Sequence, residues 1–295
     1  MKPQFRVPPA LEPYRREVRA GGLKLHVYDA SAHDPSAHDP SPVLLLHGLG
    51  DEADSWQRLI PLLAPHRRVI APDLPGFGRS DHPRRAYTLA FFARAVRGLL
   101  DALLPQGAKV TLAGNSLGAA IALRFALDHP GRAERLFLLD GPAMQGRLNP
   151  RLMLFLLPVL GERTYNGFRR DQDLAYASLR PYYHDLEALP PELRGFLRER
   201  VWDRVWSDDQ RRAYFSTFRW LVWKSLWGLF KPGELAGLRL PTTIVWGRQD
   251  HVAPAGSGQA LAQAIPASRL VLLDNCGHLP QQEKPEELAR LLLEP

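Results

Sequence analysis

Cysteine is nearly absent: Cys276 is the single one in 295 residues. That excludes an internal disulfide and a thiolate metal cluster, and it suits a reducing compartment. Long hydrophobic runs are also missing. The longest, Leu152 to Leu160, is too short for a bilayer and contains Pro158. The opening segment, MKPQFRVPPALEPYRRE, lacks the apolar core of a secretory leader. A soluble cytoplasmic protein is therefore expected. Dense basic runs are lacking too, although the formal charge is +7. The excess sits in residues 1–20 (+3) and 141–240 (+5), and the rest is near neutral. No stretch resembles a nucleic-acid groove or a zinc finger, so no nucleic-acid partner is expected and the scattered arginines read as solvated surface.

What is present is ordinary globular composition, 45% hydrophobic and 23% charged, enough for a sizeable core. Up to about residue 140, strand-like and helix-like segments alternate. Glu17–Ala20 and Leu23–Asp29, split by Gly21-Gly22, read as a hairpin. Residues 42–46, 68–71, 109–113 and 135–139 are short continuous apolar runs, the pattern of parallel strands buried on both faces. Helical stretches fall at about 54–63, 88–103 and 117–128. The rhythm stops near Gly141 and resumes with strands at 242–246 and 269–273 and a helix at 285–293. The expected fold is thus α/β, a mostly parallel eight-stranded sheet with flanking helices and a helical cap insertion. Residues 1–140 and 241–295 would form the core, and 141–240 the cap.

The repeat SAHDPSAHDP (Ser31 to Pro40) contains two His-Asp pairs. No further ligands flank this Pro-rich stretch, so it reads as a strand connection, and no metal or cofactor is expected.

Chemistry concentrates in Gly114-Asn-Ser-Leu-Gly118, between a strand-like and a helix-like run. Gly-x-Ser-x-Gly in that context is a nucleophile elbow: small neighbours let the chain bend sharply and expose one hydroxyl above the sheet. Ser116 is then the candidate nucleophile, and it needs a base. His278 follows the last strand, at the same sheet edge. Asp250, just past the preceding strand, is the candidate acid that orients the histidine, and Asp140 is its rival. Oxyanion donors are expected from the N–H groups of Leu117 and of Leu49 in His47-Gly-Leu-Gly-Asp51. His47 itself reads as a loop-shaping residue. Gly76-Phe-Gly78 lacks a following Gly-Lys-Ser/Thr and reads as a turn.

The order Ser, Asp, His with an upstream His-Gly loop resembles the α/β-hydrolase fold family, from about residue 14 onward. APDLPGFGRSD (Ala71 to Asp81) resembles the turn after the fourth strand in those enzymes. A serine at the elbow departs from the dehalogenase and epoxide hydrolase branches, and Asn115 departs from the haloperoxidase-like branch. The resemblance implies a serine hydrolase of carboxylic esters, with carbon–carbon bond hydrolysis of ring-fission products as the alternative. Against that alternative stand the short HGLGDEADSW loop and Leu279, where such enzymes usually carry tryptophan. An inactive binding protein of this fold is a third reading, disfavoured because all three triad candidates are present.

Residues 211–231 place Trp220, Trp223, Trp227 and Phe230 at helical spacing, with Tyr214, Phe218 and Leu221 on a second face. A packed cap helix is one reading. The other is a lid offering Trp220, Trp223 and Trp227 to a hydrophobic acyl group, or to a lipid surface with Arg219 and Lys224 at the headgroups. The greasy segment Arg151 to Gly161 adds to it. A small hydrophobic ester is the expected substrate.

Overall fold

A computed structural model describes residues 4–31, 41–142 and 150–294. The SAHDPSAHDP repeat therefore lies almost wholly outside the described residues. Eight strands form one sheet: β1 Arg15–Ala20, β2 Leu23–Ala30, β3 Val43–Leu46, β4 Val69–Pro72, β5 Val110–Asn115, β6 Ala133–Leu139, β7 Thr242–Gly247 and β8 Ser268–Leu273. Their order is β1-β2-β4-β3-β5-β6-β7-β8. β2 runs antiparallel to β1 and β4, and the other pairs are parallel. Gly21 and Gly22, both at positive φ (57° and 79°), close the β1–β2 hairpin, a turn that favours glycine.

The helices of the first half are α1 Ile60–Leu63, α2 Leu89–Leu103 and α3 Leu117–Asp128. Between β6 and β7 every regular element is helical: α4 Pro150–Leu156, α5 Leu160–Asn166, α6 Gln172–Ala177, α7 Pro191–Trp206, α8 Asp208–Ser225 and α9 Pro232–Ala236, with short 3-10 turns. α10 Gly256–Ala264, α11 Pro280–Glu283 and α12 Pro285–Leu293 complete the chain.

Burial explains the continuous apolar strands. Leu44, Leu46, Leu112, Leu136, Leu138, Ile244 and Trp246 face one core layer, packed with α2 and α3. Val43, Leu45, Ala113, Phe137, Leu139 and Val245 face the other, packed with α1 and α12. Successive side chains point to opposite faces, and both faces are covered, so most positions in these strands are apolar.

Two helices depart from expectation. The stretch at 54–63 is a 3-10 turn, Ala53–Trp56, followed by the single turn α1. Pro61 has no N–H to continue a helix from Gln57, so the chain restarts with proline in a first turn. α8 stops at Ser225, because Gly228 adopts φ +82°. Trp227 and Phe230 are therefore off the helix that carries Trp220 and Trp223. Phe230 is buried in the main core.

Among the described residues no helix is long and apolar enough to cross a membrane. The arginines of α7 correct the solvated-surface expectation: Arg200 is 2% exposed.

Candidate active site

The elbow is built by two steric contacts. A Cβ on Gly118 would fall 2.0 Å from the Leu46 carbonyl oxygen, and one on Gly114 would fall 2.3 Å from the backbone of Gly118. Only hydrogen fits at either place, so α3 packs directly on β3 and β5. The chain between them bends through Ser116, at φ 55° and ψ −113°. Such a conformation is costly for a non-glycine residue and persists where its surroundings enforce it. Here Ser116 N–H donates to the Leu139 carbonyl at 2.9 Å. Ser116 is half-buried between buried neighbours.

The carboxyl ends of four neighbouring strands converge here, because β5, β6, β7 and β8 are adjacent and parallel. His278 and Asp250 meet across them: ring Nδ1 lies 2.7 Å from Asp250 Oδ2. Asp250 Oδ1 accepts from the N–H groups of Val252 and Ala253 at 2.7 and 2.8 Å, fixing its orientation. Asp250, and not Asp140, is thus the histidine's carboxylate partner. The ring is buried, and with Nδ1 bonded to a carboxylate, Nε2 is left to exchange a proton.

Asn115 ties the nucleophile to the histidine loop. Its Nδ2 donates to the carbonyl of His278 at 2.9 Å and to that of Leu139 at 3.3 Å. Tyr182 O accepts the His278 N–H at 2.8 Å, and the His278 and Tyr182 rings are 6.0 Å apart. The helical insertion therefore holds the loop that carries His278.

Gly48 lies against the elbow, since a Cβ there would stand 3.3 Å from Asn115 Oδ1 and 3.5 Å from Ser116 Cβ. That close approach brings the next residue, Leu49, to the elbow. Among the described residues the amides of Leu49 and Leu117 have no protein acceptor, and Leu117 opens α3, where the helix dipole favours negative charge. His47 shapes this loop: Nδ1 donates to the Gly48 carbonyl at 2.8 Å and Nε2 accepts from Leu74 N–H at 2.8 Å. Burial pushes its pKa below the ordinary value, so it stays neutral.

Sequence reading missed the ionic framework behind this loop. Arg204 of α7 donates to Glu52 Oε2 and Oε1 at 2.9 and 2.6 Å and pairs with Asp51. Arg200 binds Asp54 at 2.5 Å and Glu52 at 3.2 Å. Tyr214 of α8 packs on Gly50, 3.1 Å from where its Cβ would be. The acidic run after the His-Gly loop was the available signal. Of the three tryptophans, Trp220 packs against the core layer that also holds Leu49. Trp223 and Trp227 are 60% and 76% exposed.

Asp140, Asp250 and His278 offer donor atoms within 4.8 Å of one another, close enough to hold a metal ion. Two of the three are already committed to each other and to backbone amides, as the triad arrangement requires.

The alpha/beta hydrolase fold family matches residues 41–285, and the chain belongs to it. Among its relatives is 2-hydroxy-6-oxononadienedioate/2-hydroxy-6-oxononatrienedioate hydrolase 2 of Pseudomonas putida, 32% identical over 85% of this chain and 86% of its own length. The 2-hydroxy-6-oxo-2,4-heptadienoate hydrolase of a second Pseudomonas putida strain is 29% identical over 94% of both chains. The solved meta-cleavage product hydrolase from Pseudomonas fluorescens IP01 superposes with a TM-score of 0.76 at 25% identity, over 94% of this chain and 95% of that one.

These relatives overturn the expectation of ester hydrolysis in favour of its alternative. The two features that argued otherwise have local explanations. Leu279 packs against the insertion cluster of Tyr183, Leu186, Leu189, Leu193 and Leu197, so the position after the histidine serves packing here. The short His-Gly loop is stiffened from outside by Arg204 and Tyr214. A triad and an oxyanion site serve acyl transfer from oxygen or from carbon alike, which is why the elbow did not distinguish them.

Proposed function

We propose that this protein hydrolyses a carbon–carbon bond in a ring-fission product of the 2-hydroxy-6-oxo-dienoate class, with Ser116, His278 and Asp250 as its triad. The observation that carries this reading is the activity in the names of relatives aligned along nearly the whole chain. In the 2-oxo tautomer of such a compound, the C6 ketone is the electrophile. Ser116 Oγ adds to it while His278 takes the proton, and the N–H groups of Leu49 and Leu117 receive the oxyanion. Collapse releases C5 as a dienolate conjugated with the 2-oxo acid, and water then frees the acyl group. In this reading residues 141–240 are a cap, and Tyr182, Tyr214 and Trp220 border the substrate.

The test is direct. Purified protein should bleach 2-hydroxy-6-oxo-dienoates differing at C6, with kcat/KM of about 10⁴ M⁻¹s⁻¹ or more for the preferred one. Ser116→Ala should lower kcat by ~10³-fold or more. No turnover across the series rejects the assignment.

A second reading concerns the outer face of the cap. Leu154, Leu157, Val159, Leu160, Trp223, Leu226 and Trp227 are exposed, and Arg163 and Lys231 are exposed in the same segments. Aromatic and basic residues together favour peripheral contact with an anionic lipid surface. Co-sedimentation with anionic vesicles at low salt tests it, and no pelleting rejects it.

A further inference from the structure

Asp140 sits where the mechanism has no use for a second acid. It directly follows β6 and is buried, at 1% exposed, with φ 48°. Its backbone N–H donates to the Val245 carbonyl at 3.0 Å, and Oδ1 accepts the Gly247 N–H at 2.8 Å. Both contacts lock it to β7, the strand that delivers Asp250. Oδ2 is buried and meets no donor. What faces it is another carboxylate: Asp140, Asp250 and His278 cluster within 4.8 Å.

Two carboxylates this close, out of water, do not both stay ionised. Asp250 has a donor on each oxygen, from His278 Nδ1 and from two backbone amides. Asp140 has one donor in all. The single proton therefore belongs on Asp140. The charged and titratable groups facing it agree: beyond Asp250 and His278 they are Glu283 of α11 and the Cys276 thiol, and none is a cation that would stabilise its anion. Burial first, and Asp250 second, raise its pKa well above the carboxylate range.

We propose that Asp140 is a neutral carboxylic acid whose Oδ2 hydroxyl donates to Asp250, making it a positioning residue for the acid of the triad. The assignment rests on the triad of the proposed function, but not on which substrate that triad cleaves. A donated hydrogen bond holds Asp250 in place without adding a second negative charge beside the ring.

Asp140→Asn is the informative variant, because an amide reproduces the arrangement: Oδ1 accepts from Gly247 and Nδ2 donates to Asp250. At neutral pH the infrared difference between the protein and D140N should contain the carbonyl stretch of one protonated carboxylic acid, shifted in heavy water. The downfield Nδ1 proton of His278 should be seen in both and be broadened in D140A. In turnover of a dienoate, D140A should lose ~10-fold in kcat with KM little changed, and D140N should recover most of it. At alkaline pH the wild type should lose activity as Asp140 ionises, while D140N keeps it.

Absence of the carboxylic acid band overturns the proposal, as does a D140A protein with full activity and a sharp Nδ1 signal. If D140A does not fold, coincident alkaline limbs for wild type and D140N overturn it instead. Failure of every dienoate would reject the proposed reaction while the infrared and proton signals still decide the role of Asp140.

Discussion

Asn115 Nδ2 donates to the backbone carbonyl of His278 at 2.9 Å, joining the residue before Ser116 to the His278 loop. The same nitrogen reaches the Leu139 carbonyl, and Asn115 Oδ1 accepts from Gln281 Nε2 at 3.3 Å. Replacement by aspartate keeps the shape but turns a buried oxygen toward two carbonyl oxygens. Asn115→Asp should cost about 2–3 kcal/mol in urea unfolding and lower kcat by ~10-fold or more. A variant with wild-type stability and kcat would remove Asn115 from the site's framework.

Two glycines should respond in opposite directions. Gly118→Ala forces a Cβ to within 2.0 Å of the Leu46 carbonyl oxygen, where the backbone of α3 meets β3. It should lose about 4 kcal/mol or fail to fold. Gly195, inside α7, has nothing within 4 Å of a Cβ. Gly195→Ala should gain about 0.5–1 kcal/mol by restricting the unfolded chain. Denaturant titration of the pair reads both signs in one experiment.

Arg204 carries the coupling between α7 and the His-Gly loop. Its partner Glu52 is fully buried, so removing the guanidinium leaves that carboxylate to Arg200, which is 3.2 Å away and shared with Asp54. Arg204→Met should destabilise by about 3–5 kcal/mol, and adding Glu52→Gln should recover part of that loss. Additive losses in the double variant would show that the two act separately.

Acid should destabilise this protein through its histidines. Burial lowers the pKa of His26, His47 and His82 from 6.5. The unfolded chain therefore takes up protons first as pH falls. Stability is fully present above the unfolded value near 6.5 and is lost below it, by up to about 1.4 kcal/mol per pH unit for each group. His82→Gln should flatten the fall of Tm between pH 6.5 and 5, and an unchanged slope would exclude His82 as a contributor.

Much of this was legible in the chain. Apolar runs of four or five residues marked the buried strands because both sheet faces are covered. Gly114 and Gly118 marked the elbow because sterics allow nothing larger. His278 and Asp250 could be paired as candidates because parallel strands deliver their carboxyl ends to one edge, where the two side chains meet at 2.7 Å. α10 was not read, since Gly-Ser-Gly-Gln-Ala-Leu-Ala-Gln-Ala carries little periodic signal. Trp227 was placed on a helix that Gly228 had already ended.

Local sterics and strand periodicity are properties of neighbouring residues, so the sequence by itself determined the sheet and the bend at Ser116. The long-range pairings needed the fold. Nothing near Arg204 in the chain indicates Glu52, and nothing near Asp140 indicates that Asp250 will lie against it. Those contacts exist because β6 and β7, separated by the whole helical insertion, are neighbours in the sheet, and because α7 returns to the His-Gly loop. Burial then decides the chemistry: it turns surface-like arginines into buried partners of the residues after the His-Gly loop, and one of two adjacent aspartates into an acid that keeps its proton.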